Sequence, residues 1–135
     1  MSQAHHFIII DDNELDLFII EKFLSLAKIA LSIQRFNSAE DGLHYVETHG
    51  DSMPSTIILL DLQMPVMNGF DFVDVYAGFK ETWRNKITIY ILSSTVDRGD
   101  IEKIKQNPYI VDLISKPLDI EILKKKLEQK IDHRL

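Results

Sequence analysis

Short runs of consecutive apolar residues alternate along the chain with stretches in which apolar positions recur every three or four residues. This alternation predicts strands separated by helices. Residues 7–10, 31–36, 56–60, 87–92 and 109–114 read as strands, and the β-branched run Phe7-Ile8-Ile9-Ile10 fits one buried on both faces of a parallel sheet. Helical spacing predicts a helix over 14–26, with Leu15, Phe18, Ile19, Lys22 and Phe23 at helical intervals and Asn13 as its cap. A second helix opens at Ser38, with Asp41 placed as in a capping box and Ala39, Leu43 and Val46 on one face. Further helices are expected over about 70–79, over 99–105, and along a stripe of Ile120, Leu123, Leu127 and Ile131. Five βα units in this order predict an α/β fold: a doubly wound, five-stranded parallel sheet with helices on both faces.

The chain has 135 residues, 45% of them hydrophobic and 27% charged, which suits one domain with a full core and no staples. A single domain over residues 1–135 is therefore expected, with neither repeat nor linker. Cysteine is absent, which excludes disulfide scaffolds, zinc–thiolate centres and cysteine nucleophiles and is compatible with a cytoplasmic setting. No apolar run is long enough to span a membrane, and no basic segment precedes residues 7–10 as in a signal peptide. The net charge of −6 argues against direct nucleic-acid binding, and Lys124-Lys125-Lys126 reads as a solvated helix face.

The polar residues that carry chemistry share one structural address. Asp11 and Asp12 follow the first strand, Asp61 ends the third, Ser93 ends the fourth and Lys116 follows the fifth. Parallel strands place all of them along the carboxyl edge, where ligands bind in such sheets. Three carboxylates in one crevice repel each other unless a cation intervenes, and hard oxygen ligands suit Mg²⁺. A carboxylate beside such an ion can attack phosphorus and form an aspartyl phosphate. Asp61, alone at a strand end before a Pro- and Gly-containing turn, is the expected nucleophile; Lys116 and Ser93 are expected to hold the phosphoryl oxygens. Singly, each residue is an ordinary cap or turn. Four strand ends furnished in this order favour the joint reading.

With those residues in view, the chain resembles the receiver domain of two-component response regulators, the phosphoacceptor module of bacterial signalling, in its stand-alone, chemotaxis-regulator-like form. The resemblance spans nearly the whole chain. Its carriers are Phe7-Ile8-Ile9-Ile10-Asp11-Asp12-Asn13, the stretch from Leu59 through Asp61, Met64 and Pro65 to Gly69, Ile91-Leu92-Ser93-Ser94, and Ser115-Lys116-Pro117. It implies a flavodoxin-like fold and transfer of phosphate to Asp61 from a sensor histidine kinase or histidine phosphotransfer protein. It also implies Mg²⁺ held by Asp12, by Asp11 through water, by Asp61 and by the backbone carbonyl of Gln63. A cis peptide before Pro117 and tuning of dephosphorylation at Gln63 and Thr95 are implied likewise. Output would pass to a downstream protein partner, with no effector domain attached and only self-catalysed phosphorylation and dephosphorylation.

Two departures from the family pattern stand out. Leu113 occupies the position, three before the lysine, where an aromatic residue often couples the switch. Gln106-Asn107-Pro108-Tyr109 replaces a small turn, so the adjoining face is expected to be reshaped for a particular partner. An aspartyl-phosphate phosphatase of the haloacid-dehalogenase type is the runner-up, but it needs a second Asp where Gln63 stands. A phosphate-free scaffold has nothing in the motif set to support it. A flavin carrier would need a Ser/Thr/Gly-rich loop in place of Asp11-Asp12-Asn13. His5 and His6, adjacent on a strand, point to opposite faces and form no joint metal site. His44, His49 and His133 read as surface residues, Met64 and Met67 as packing residues, and Trp83 as partly buried in a loop.

Overall fold

The computed structural model describes residues 3–94 and 96–134, with side chains described up to residue 129. Thr95, and the side chains of Ile131 and His133, lie outside the described residues. The five strands are β1 (His5–Ile10), β2 (Ala30–Phe36), β3 (Thr56–Asp61), β4 (Ile87–Ser93) and β5 (Ile110–Ser115). They form one parallel sheet in the order β2-β1-β3-β4-β5. The helices are α1 (Glu14–Leu26), α2 (Ala39–His49), α3 (Gly69–Tyr76), α4 (Glu81–Arg84), α5 (Arg98–Gln106) and α6 (Ile120–Arg134). The expected doubly wound α/β fold is what the chain adopts. No described helix is long and apolar enough to cross a membrane.

The period of two along each strand divides the core. Ile8, Ile10, Ile58, Leu60, Ile89 and Ile91 face the helices α2, α3, α4 and α5 through Val46, Phe72, Trp83 and Ile104. Phe7, Ile9, Leu59, Tyr90 and Leu92 face α1 and α6 through Leu17, Leu24 and Leu123. The strand order reverses beside β1: its register pairs Ile10 with Phe36 on one side and with Leu60 on the other. Both core layers therefore pin the end of β1 directly beside the end of β3.

Helix starts follow the local chemistry. Asn13 Oδ1 accepts from the Asp16 amide at 3.0 Å and Ser38 Oγ from the Asp41 amide at 3.1 Å, as their cap positions require. Asn68 with Asp71, and Asp97 with Asp100, close reciprocal capping boxes.

The helix expected over about 70–79 ends three residues early, and a further one-turn helix that the sequence reading did not give follows it. α3 ends at Tyr76, where the Gly78 amide turns back to the Val75 carbonyl, and α4 adds one turn that carries Trp83. Gly in this stretch favours the break. Trp83 is thus helical and buried, with its indole Nε1 donating to Asp51 at 2.6 Å and its ring flat against Gly50. Tyr109 also turns inward: it packs edge-on against Tyr76, 5.9 Å between centroids, beneath the Arg84 guanidinium. This end of the sheet is an aromatic cluster opposite the carboxyl edge, with Tyr109 itself half-buried.

A Cβ on Gly50 would lie 2.3 Å from Trp83 Cδ2, too close for the ring to stay in place. Gly50→Ala is expected to destabilise the protein by about 1–3 kcal/mol, the usual range for overpacking. Urea unfolding followed by the emission of Trp83 checks this, since it is the chain's one tryptophan.

Candidate functional site at the carboxyl edge

Asp11 is the first residue after β1, and its amide still donates to the Phe36 carbonyl at 3.1 Å. Its Oδ1 accepts from the Asn13 amide at 2.9 Å, which turns the chain into α1 and leaves Oδ2 aimed along the sheet edge. Asp61 closes β3, paired in register with Leu92, so Ser93 sits one step further along the neighbouring strand. Asp11, Asp61 and Ser93 are 2%, 6% and 4% exposed, unusual values for such polar groups, whereas Asp12 is exposed.

The turn after Asp61 folds back tightly. The Gly69 amide donates to the Leu62 carbonyl at 2.9 Å, and a Cβ on Gly69 would come within 2.9 Å of the Asp61 carbonyl oxygen. Only glycine allows this approach without shifting β3. Val66, at the tip of the turn, has φ of 69° and is 93% exposed, a strained conformation for a β-branched residue. Met64 is buried and Met67 packs against the core, as their packing role requires. Gln63 is exposed and lines a groove of about 430 Å³ with Leu62, Met64, Asn68, Phe70 and Asp100.

From the other side, the Lys116 amide donates to the Ser93 carbonyl at 3.0 Å, and the peptide to Pro117 is cis. The Lys116 ammonium reaches three carboxylates: Asp11 at 2.6 Å, Asp16 at 3.0 Å and Asp61 at 3.5 Å. Sequence reading missed Asp16. The available signal was an acid in the first turn of a helix that begins at the carboxyl edge.

Asp11, Asp12 and Asp61 each present a carboxylate oxygen, all within 4.8 Å of one another. Burial, then the charge of Asp11, push Asp61 up from 3.8 to about 6 against the opposing pull of Lys116. Burial likewise raises Asp11, outweighing its hydrogen bonds with Lys116 and Asn13. Burial works against the charge on Lys116, but its bonds to Asp11 and Asp16 prevail and its pKa is raised. Among the described residues, one ammonium thus meets three carboxylates, and Asp12 adds a fourth negative charge to the crevice. The remaining negative charge and the all-oxygen donor set fit a small hard cation such as Mg²⁺.

The other expected positions fall elsewhere. Leu113 is half-buried against the core on β5. His6 Nδ1 is 2.7 Å from Ser32 Oγ, while His5 packs edge-on against Phe7, so the two histidines do diverge. His44 and His49 are exposed. Lys124 and Lys126 pair with Glu121 and Asp112, respectively.

The profile of the response regulator receiver domain matches residues 7–128. Among solved structures, a response regulator receiver protein from Dyadobacter fermentans DSM 18053 is 42% identical. It covers 93% of this chain and 97% of its own, with a TM-score of 0.87. A two component response regulator from Cytophaga hutchinsonii is 23% identical, covers 96% of this chain and 98% of its own, and shares the fold at a TM-score of 0.85. No curated protein matches the chain by sequence.

The raised Asp61 sets a sign for stability. In the metal-free protein the folded state holds its proton up to about pH 6, while the unfolded chain releases it near 3.8. The unfolded state therefore binds fewer protons between those values, and stability falls as pH rises through them. Asp61→Asn, which mimics the neutral form, is expected to stabilise the chelator-treated protein by about 1–3 kcal/mol at pH 7.5. The gain should vanish below about pH 4. Urea unfolding at the two pH values checks it.

Proposed function

We propose, from the premise that this chain belongs to the response regulator receiver domain family of two-component signalling, that it is a phosphorylation switch with Asp61 as the acceptor. The carrying observation is the position of Asp61: buried, raised by burial and by Asp11, within 3.5 Å of the Lys116 ammonium, and grouped with Asp11 and Asp12 as a cation site. The donor is a phosphohistidine on a sensor histidine kinase or histidine phosphotransfer protein. A carboxylate oxygen of Asp61 forms the bond to phosphorus as the bond from phosphorus to the donor imidazole breaks.

Asp11, Asp12, Asp61 and the Gln63 backbone carbonyl are the groups proposed to hold Mg²⁺, which when bound offsets the negative charge of the carboxylates and of the transferring phosphoryl oxygens. Lys116 and the Ser93 hydroxyl donate to those oxygens. Hydrolysis reverses the state: water attacks phosphorus, the bond to Asp61 breaks, and phosphate leaves. This is self-dephosphorylation within a signalling module rather than turnover of a metabolite.

Phosphorylation adds negative charge to a site already crowded with it, so Ser93 and Lys116 must redistribute. Their strands and loop carry that change to the surface, where the output is altered binding of a downstream protein in the cytoplasm. Leu113 packs on the core in place of an aromatic switch residue, so the readout here runs through aliphatic packing on β5.

Support for a protein donor comes from α1. The helix that begins at Glu14, just after Asp11 and its cap Asn13, exposes Leu15, Phe18 and Leu26 by 65%, 56% and 70%. Such an apolar face beside the acceptor suits a partner helix.

Intact mass after incubation with acetyl phosphate and Mg²⁺ tests the switch chemistry. One added phosphoryl group is expected, lost with Asp61→Asn or a chelator; no adduct together with no binding of beryllofluoride would refute the reading. Phe18→Ala is expected to leave labelling by acetyl phosphate unchanged and to slow transfer from a phosphorylated histidine protein about tenfold or more, in line with loss of an interface anchor. Stopped-time transfer assays read the difference.

A further inference from the structure

The Lys116 ammonium has three N–H donors, and its three carboxylate contacts match them in number. Those contacts are unequal. Asp11 at 2.6 Å and Asp16 at 3.0 Å lie close to the lengths of charge-assisted bonds, while Asp61 at 3.5 Å lies beyond them. In the resting protein the lysine therefore leans away from the acceptor it serves.

Two of these partners, Asp11 and Asp61, belong to the three-carboxylate cluster; Asp16 does not. A cation in that cluster would draw on Asp11 and Asp61 and leave the charge of Asp16 to Lys116. Asp16 is also held firmly enough to act on its partner. Its amide is capped by Asn13 Oδ1 at 3.0 Å, which fixes the first turn of α1 and so the origin of the side chain. An acid in a first helical turn is common for the sake of the helix alone. That explanation does not account for a 3.0 Å contact to a lysine 100 residues away in sequence.

We propose that Asp16 is a positioning residue for Lys116, holding the ammonium back in the resting state and competing with the phosphoryl group for it. The inference rests on the reading of Asp61 as acceptor and adds a setting for the balance of the switch. When a phosphoryl group occupies Asp61, its oxygens require an N–H from Lys116, and the contact surrendered is the one to Asp16. Loss of the Asp16 charge then favours the phosphorylated arrangement over the resting one.

The test is the affinity for beryllofluoride with Mg²⁺, followed by ¹⁹F NMR, in the full chain. Asp16→Asn is expected to bind about two- to fivefold more tightly than the unaltered protein, the scale of a part-exposed ion pair. Glu14→Gln removes a neighbouring charge whose carboxylate contacts Asn37 instead, and so measures the general electrostatic effect. In a Lys116→Ala background the additional gain from Asp16→Asn should disappear. An Asp16→Asn effect no larger than that of Glu14→Gln, a weakened affinity, or a gain that persists without Lys116 would overturn the proposal. Failure of the unaltered protein to bind the mimic at all would instead refute the acceptor reading, and this inference with it.

Discussion

Repulsion among carboxylates at the junction of β1 and β3 is the constraint on which the site depends. Asp11 and Asp61 are buried at neighbouring strand ends with Asp12 beside them, and Lys116 is the ammonium that reaches into the group. Burying a carboxylate is unfavourable and a like charge beside it adds to the cost; Asp61 is raised by its burial first and by the charge of Asp11 second. A site designed for stability alone would replace one carboxylate with an amide. This one keeps the charges, which is what the proposed response to a cation and to added phosphate requires.

The rest of the fold keeps the charges from moving apart. Two core layers, one on each face of the sheet, lock the register of β1 against β3. Gly69 lets the following turn close onto the Asp61 backbone, and Asn13 and Asn68 fix the helices that leave the edge. On the far side, the bond from the Lys116 amide to Ser93 ties the lysine loop to β4. A shift at any one strand end is thereby coupled to the others. At the opposite pole, the cluster of Tyr76, Phe79, Trp83 and Tyr109 closes the sheet without reaching the acidic crevice.

The strands and the long helices were legible because apolar period alone distinguishes them, and strand ends then located Asp11, Asp61, Ser93 and Lys116. What escaped was of a different kind. The burial of Trp83 on the extra turn α4 depends on Gly50 and Asp51, a contact more than 30 residues apart in sequence that no local pattern announces. The inward turn of Tyr109 depends likewise on Tyr76 and Arg84. Asp16 was overlooked because an acid at a helix start has a sufficient local explanation, and only the fold brings Lys116 against it.

The central claim is that the three clustered carboxylates form a cation site whose charge is incomplete until Asp61 loses its proton. An NMR titration of the protein with Mg²⁺ at pH 5 and at pH 8 tests it most directly. Binding should be tighter at pH 8, on the far side of the Asp61 value of about 6, with resonance shifts centred on Asp11, Asp12 and Asp61. Equal affinity at the two pH values, or shifts centred away from these residues, would contradict the account.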